Sequence, residues 1–233
     1  MSNIVSIHQP SYFPWLGLLD KINKSDIYIY MDNVQLADRA YQHRNIFLSN
    51  QGREHLLTIS IDKKGYRHKS ISEIFIKNGD WRRKHLSFFE SNYKKHPYFD
   101  EIYEKIQPIY QKEYEYLNDF LFDSMQISLD IFKIDTKIIK ASTLDIDSSL
   151  KKEDLIFGLL DKVGATTYLS GVGAKSYQDE KHFLDRGIEL VYQEMSFLDY
   201  NQYKNRNFIK GLSSLDVAFN YGLDDSRAIL GGE

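Results

Sequence analysis

Short apolar runs alternate with helical patterns at both ends of the chain. Residues 4–7 and 27–31 predict two strands, and the polar, aromatic stretch 8–17 and a helix separate them. Further strands are predicted at 134–139, 167–169 and 188–192, with helices at 151–163 and 176–186. This strand–helix alternation predicts an α/β fold whose sheet is mostly parallel and carries flanking helices.

The middle of the chain follows a different pattern. Extended runs at 46–49 and 56–61 surround a turn signal and predict a hairpin, which a further strand at 71–76 would extend. A helix is expected from Trp81 toward Tyr93, and the stretch 98–129 predicts two helices interrupted near Pro108. We therefore expect one domain, 1–233, with a helical insertion at approximately 80–130.

Composition narrows the classes of function. The chain has 233 residues, a formal net charge of -3 and no cysteine. Because there is no basic field, we expect no DNA binding. The absence of cysteine removes cysteine nucleophiles, enzyme-bound thioesters and disulfides.

The chain start and the hydropathy predict where the protein works. There is no charged region followed by an apolar leader segment. No apolar run approaches the roughly 20 residues that span a bilayer. We therefore expect a cytoplasmic protein without a transmembrane segment, and the sequence leaves an oligomer open.

The loop after the first strand is the first candidate site. In βαβ units this loop lies at the carboxyl edge of the sheet, where ligands usually bind. Gln9, Tyr12 and Trp15 are unusual residues for a plain connection, and the following helix N-terminus would attract phosphate or carboxylate. His8 is suited to bind phosphate or to act as acid or base. The alternative is that His8 and Gln9 only satisfy buried backbone groups.

A second candidate is the glycine-containing loop at 170–175. Gly171 and Gly173 would let a ligand approach the backbone, with Ser170 beside them and Lys175 placed to contact an anion. The spacing differs from a Walker motif. Glycine is common in strand–helix turns, so this loop alone is weak evidence for a site. Its expected position at the same edge of the sheet as the first candidate supports it.

A third candidate follows the second strand. Asp32 stands where an acid often meets a sugar hydroxyl or a substrate amine. Gln35 and Asn45 are polar residues of the stretch that follows it, and Arg39 and Arg44 could bind a pyrophosphate through their guanidinium groups. A surface ion-pair network is the alternative reading.

The remaining histidines and one helix start complete the survey. His85 is a candidate base, although its spacing with Trp81 and Phe89 also predicts plain packing. The other histidines show no metal-ligand spacing, so we predict no metal site. Ser213, followed by Asp216 before an apolar run, predicts a capping box.

The run from Ile7 to Gly17, IHQPSYFPWLG, resembles the opening signature of the WbqC-like protein family. Weaker matches follow in the expected order at 81–85, 93–98, 168–177 and 213–216. The resemblance implies a role in O-antigen and other surface polysaccharide biosynthesis. It suggests an enzyme that modifies a nucleotide-linked amino sugar by acyl or aminoacyl (glycyl) transfer to its amine. It implies no catalytic residues.

Two other readings stay open. The layout from the first strand to Asp32 is similar to the start of HIGH-type nucleotidyltransferases, which would make the protein an ATP-dependent nucleotidyltransferase or ligase using magnesium. The chain lacks the second histidine motif and a KMSKS-like run of those enzymes. The third reading is a non-catalytic binding partner in polysaccharide assembly. For the transferase, the co-substrate would be an activated acyl or aminoacyl donor.

Overall fold

A computed structural model describes residues 2–37, 40–195, 199–203 and 207–230. The chain divides into two units, which are described separately. The sheet unit comprises 1–9, 20–33 and 135–195, and the insert unit comprises 10–19, 34–134 and 196–233.

The strands and helices of the described residues are numbered in chain order. The strands are β1 (Ile4–His8), β2 (Ile27–Tyr30), β3 (Arg44–Leu48), β4 (Glu54–Thr58), β5 (Lys137–Lys140), β6 (Thr167–Ser170) and β7 (Glu189–Tyr192). The helices are α1 (Leu16–Asn23), α2 (Trp81–Tyr93), α3 (Phe99–Gln111), α4 (Leu117–Ile131), α5 (Lys152–Val163), α6 (Glu180–Leu184) and α7 (Leu215–Asp225).

The sheet unit is built on one five-stranded sheet with the order β5-β2-β1-β6-β7. All of its pairings are parallel. The parallel α/β prediction is therefore confirmed. Helix α5 connects β5 to β6 across the sheet, and α6 provides the crossover connection that the parallel neighbours β6 and β7 need.

Side chains of β1 alternate between the two faces of this sheet. Val5 and Ile7 lie in an apolar cluster that includes residues of α5 and α6. Ser6 and His8 point to the opposite face, where the Oγ of Ser25, just beyond α1, donates to the Oγ of Ser6 at 2.7 Å. The two faces therefore carry different chemistry at the same edge.

The insert unit contains the predicted hairpin, in which β3 pairs antiparallel with β4. Helices α2, α3 and α4 follow, and α7 comes near the chain end. Trp81, His85 and Phe89 are all buried on one side of α2, as their spacing predicted. The Tyr98 amide donates to the Phe219 carbonyl of α7 at 3.2 Å.

Three local predictions in the insert unit were wrong. Residues 71–76 form a 3₁₀ turn (Ile71–Glu73) and isolated bridges, because the Ile71 amide is used by a distant carbonyl rather than by a strand ladder. α3 continues through Pro108, an exposed residue of its last turns, and ends at Gln111. The capping box does not form, because the Asp216 carboxylate binds two tyrosine hydroxyls instead.

No helix in the described ranges is both long and apolar enough to cross a bilayer.

Candidate functional site at the carboxyl edge of the sheet

The strand order places a switch point between β1 and β6. Numbered along the chain, the sheet strands run 3-2-1-4-5, so the chain builds outward from β1 and then returns to its other side. In open α/β sheets, ligands bind outside the carboxyl ends of the strands at such a point. The last residues of the two strands are His8 and Ser170.

The register leaves open space beside His8. The last pair between the two strands is Ser6 with Leu169, and continuing this register by two residues places His8 beside Gly171. A Cβ on Gly171 would meet no atom within 4 Å. Its φ of -75° is available to any residue, so the backbone does not require glycine there. The missing side chain therefore leaves room that a ligand could use.

His8 is a neutral imidazole whose second ring nitrogen has no hydrogen-bond partner among the described residues. Its Nδ1 lies 2.7 Å from the carbonyl oxygen of Gln9, and because a carbonyl only accepts, Nδ1 carries the proton. His8 is exposed as a residue, yet the protein around its ring desolvates the cation and the nearby charge of Lys21 opposes it. Together these lower the pKa of His8 to about 4, against the smaller effect of the Gln9 hydrogen bond. At neutral pH the Nε2 lone pair is available.

A buried ammonium lies close to the same point. Lys21 of α1 is only 4% exposed, and its Nζ donates to the Ile7 carbonyl at 3.0 Å. Successive carbonyls of a strand point to opposite neighbours, and that of His8 accepts from Met31 beyond β2. The Ile7 carbonyl therefore points toward β6, which places Nζ between the ends of β1 and β6. Burial lowers the pKa of Lys21 to about 8.

Asp32 closes the neighbouring part of the edge. Its carboxylate is buried, and its oxygens accept from the backbone N–H and the hydroxyl of Ser142 at 2.8 and 2.7 Å. Ser142 belongs to the turn that follows β5. Asp32 thus holds that turn, and a direct role at a ligand stays a prediction.

The β6 loop presents a second group of polar residues on the other face. The hydroxyl of Ser170 donates to Oε1 of Gln178 at 2.8 Å. Lys175 is exposed, with its Nζ 5.5 Å from the ring centroid of Tyr192. Ser170 shares its face with Tyr168 of the apolar cluster, so it lies opposite the face of His8.

Tyr12 and His85 belong to the insert unit and are buried there. Nε2 of His85 donates to the Thr58 carbonyl at 3.2 Å, which leaves Nδ1 to accept from the Tyr12 hydroxyl at 3.0 Å. Tyr110 donates to Tyr12 in turn. Desolvation lowers the pKa of His85 to about 4. The ring is therefore neutral with both nitrogens engaged, as packing predicts, and catalysis by it stays a prediction.

The side chain of Asn45 binds the backbone of the signature loop, the loop within the IHQPSYFPWLG run. Its Nδ2 donates to the carbonyls of Tyr12 and Phe13 at 3.0 and 2.7 Å. Phe13 has a φ of 39° immediately before Pro14, a conformation that costs of the order of 1–3 kcal/mol. The Asn45 amide therefore stabilises a strained turn.

The other predicted residues have diverse surroundings. Trp15 and Gln35 each form a separate isolated β-bridge, with Ser213 and Ser70 respectively. Nε of Arg44 donates to a backbone carbonyl at 3.2 Å. Gln9 is half-buried and supplies the carbonyl that orients His8. Arg39 lies outside the described residues. The sheet unit contains seven of the predicted residues: His8, Gln9, Asp32, Ser170, Gly171, Gly173 and Lys175.

Sequence reasoning missed Lys21, Ser142 and Gln178. Lys21 had a detectable signal, because it shares the helical spacing of the apolar residues Leu18 and Ile22. A lysine on the buried side of a helix is rare unless it has a partner. The serine and glutamine carried no such pattern.

The sheet defines an α/β protein, and polar and basic residues at its carboxyl edge form a candidate site at a topological switch point. Comparison of the sequence shows that the chain belongs to the WbqC-like protein family, which matches residues 9–228. The chain is 30% identical over 221 residues, 94% of each chain, to "Uncharacterized protein Rv1507c" of Mycobacterium tuberculosis (strain ATCC 25618 / H37Rv). No solved structure matches.

Proposed function

We propose that the protein is a transferase of surface polysaccharide (O-antigen) biosynthesis that moves an acyl or aminoacyl group, such as glycyl, onto the amine of a nucleotide-linked amino sugar. The observation that carries the proposal is His8, whose Nε2 is unprotonated beside open space at the switch point. The setting that its resemblance to the WbqC-like family implies supports the choice of substrate.

We assign the base to His8 rather than to the other two candidates. Asp32 already accepts two hydrogen bonds from Ser142, and both nitrogens of His85 are engaged in the insert unit. A general base needs a free lone pair within reach of the proton that it removes. Asp32 then acts by positioning the edge of the sheet.

In the proposed step, the sugar amine attacks the acyl carbonyl carbon. A carbon–nitrogen bond forms, and the bond from the carbonyl carbon to the donor's leaving group breaks with its electron pair. The proton lost by the nitrogen passes to Nε2 of His8 and then to the leaving group. Because the chain has no cysteine, the acyl group must arrive activated, as a thioester, an aminoacyl-tRNA or an acyl-adenylate.

The weak basicity of His8 is compatible with this role. A pKa of about 4 keeps the ring unprotonated at neutral pH, and the negative charge of a bound phosphate would raise the pKa toward the working range. Binding of the phosphate would therefore make His8 a stronger base.

The test is a product assay by mass spectrometry. UDP-, TDP- and GDP-linked amino sugars are incubated with coenzyme A thioesters, or with glycine, ATP and magnesium. An acylated sugar nucleotide is the expected product, and His8→Gln should lower its turnover by about 100-fold. The matched control is His182→Gln, at an exposed histidine bound to Glu153, which should keep turnover. Full turnover in His8→Gln overturns the assignment of the base.

An ATP-dependent nucleotidyltransferase or ligase is the second candidate. The 3-2-1-4-5 strand order favours it, because this is the order of the classic doubly wound nucleotide-binding sheet without its sixth strand. Release of pyrophosphate or AMP without an acylated sugar would select this reading. Ligand binding with no product from any mixture would select the non-catalytic binding partner.

A further inference from the structure

Lys21 is a buried cation that lacks a counter-charge in the described part of the chain. Its ammonium has three donors, and one of them is used, by the Ile7 carbonyl. No carboxylate of the described residues forms an ion pair with it, although lysine is almost never buried this deeply without a partner. The hydrogen bonds of the described residues leave the other two donors without an acceptor.

The nearest carboxylates in the sequence are committed elsewhere. Asp20 accepts from Gln193 at 2.6 Å and forms an ion pair with Lys24 at 3.0 Å. Asp26 accepts from the Ile4 amide at the opposite end of β1, and Asp32 accepts from the hydroxyl of Ser142. The β1–α1–β2 segment therefore has no carboxylate left to compensate the charge.

The surroundings of the ammonium fit an anion. Nζ lies between the carboxyl ends of β1 and β6, where the missing side chain of Gly171 leaves space. His8 borders the same space on the same face of the sheet. The neutral imidazole adds no negative charge to this space, and the charge of a bound anion would raise the pKa of His8 and so strengthen it as a base.

We propose that Lys21, His8 and the space beside Gly171 form an anion subsite that binds a phosphate group of the substrate. The identity of the ligand, the diphosphate of a nucleotide sugar, rests on the proposed function. The existence of the subsite does not, because it follows from the uncompensated ammonium and the open space.

The test measures binding by isothermal titration calorimetry at pH 7. The probes are inorganic phosphate, pyrophosphate and uridine diphosphate. Lys21→Met keeps the length of the apolar stem and removes the charge, and Lys24→Met is the matched control, at a neighbouring lysine whose side chain is 40% exposed. Loss of a charge-assisted hydrogen bond should weaken diphosphate binding about 10- to 100-fold in Lys21→Met, and less than about 3-fold in the control.

A second variant separates binding from folding. Gly171→Ala adds a methyl group where the chain itself leaves space, so it should fold like wild type and still weaken the diphosphate complex at least about 10-fold. Unchanged affinity in both variants, or no binding of any probe by wild type, overturns the subsite. Tighter binding of uridine diphosphate than of pyrophosphate identifies a nucleotide as the source of the phosphate. Binding that depends on Lys21, without any acyl transfer, keeps the subsite and rejects the proposed function.

Discussion

Asp216 should make the stability of the insert unit depend on pH between about 4 and 6. The carboxyl lies in the first turn of α7 and is fully buried. The hydroxyls of Tyr93 and Tyr200 donate to its two oxygens at 3.0 and 2.9 Å. Burial raises the pKa of Asp216 from its ordinary 3.8 to about 6, although the two hydrogen bonds oppose this rise.

The sign of the effect follows from the raised pKa. The folded chain holds the proton more tightly than the unfolded chain, so the stabilisation is fully present below pH 3.8 and is lost as the pH rises through about 6. The difference between the two pKa values, at about 1.4 kcal/mol per pH unit, corresponds to about 3 kcal/mol of unfolding free energy.

The assay is urea unfolding of wild type and Asp216→Asn from pH 4 to pH 8. The asparagine does not ionise, so the variant should gain about 3 kcal/mol relative to wild type across this range. Other titrating groups are common to both proteins and cancel in the difference. Asp224→Asn, at an almost fully exposed side chain, is the control and should shift the curve by less than about 0.5 kcal/mol at every pH. Parallel curves for wild type and Asp216→Asn would refute the reasoning.

Three further changes test other parts of the structure. Gly173→Ala adds a methyl group in open space and outside the proposed anion subsite, so scanning calorimetry should show an unchanged melting temperature and titration calorimetry unchanged diphosphate binding. Gly17→Ala would overlap the ring of Trp15, and a red shift of tryptophan fluorescence with a lower melting temperature is expected. The folded pKa of His85, about 4, lies below its ordinary 6.5, so its contribution to the free energy of unfolding is present above pH 6.5 and is lost on acidification. In urea unfolding, His85→Phe should reduce this loss of stability at low pH by up to about 3 kcal/mol.

The sequence predicted the sheet well because its signal is local. Apolar runs of four or five residues separated by helical spacing indicate parallel strands without knowledge of distant contacts. The edge residues His8 and Ser170 followed from the strand ends alone. The run at 71–76 looked equally extended, but its backbone partners lie far away in the sequence, at Val34 and Tyr116.

The roles of the signature residues were harder to predict because the residues that they contact are distant in the sequence. Tyr12 meets His85 across 73 residues, and Asn45 reaches the Phe13 carbonyl across 32. From the sequence, a polar residue that holds a strained turn looks the same as one that faces a ligand. Lys21 shows the converse, since its helical spacing predicts burial but only the tertiary structure reveals that no carboxylate among the described residues pairs with it.

The signature loop should therefore divide into two kinds of residue that a pair of variants can separate. Asn45→Ala removes two hydrogen bonds that hold the strained Phe13 turn, at a cost of about 2 kcal/mol in urea unfolding. His8→Gln removes an exposed side chain with one local hydrogen bond, and should change stability by less than about 0.5 kcal/mol. If His8 acts on the substrate, the product assay will lose turnover in His8→Gln while the chain stays folded. Activity of Asn45→Ala will instead follow its folded fraction. A stability loss in His8→Gln as large as that in Asn45→Ala would mean that His8 also serves the turn, and the base would have to be sought elsewhere on the sheet edge.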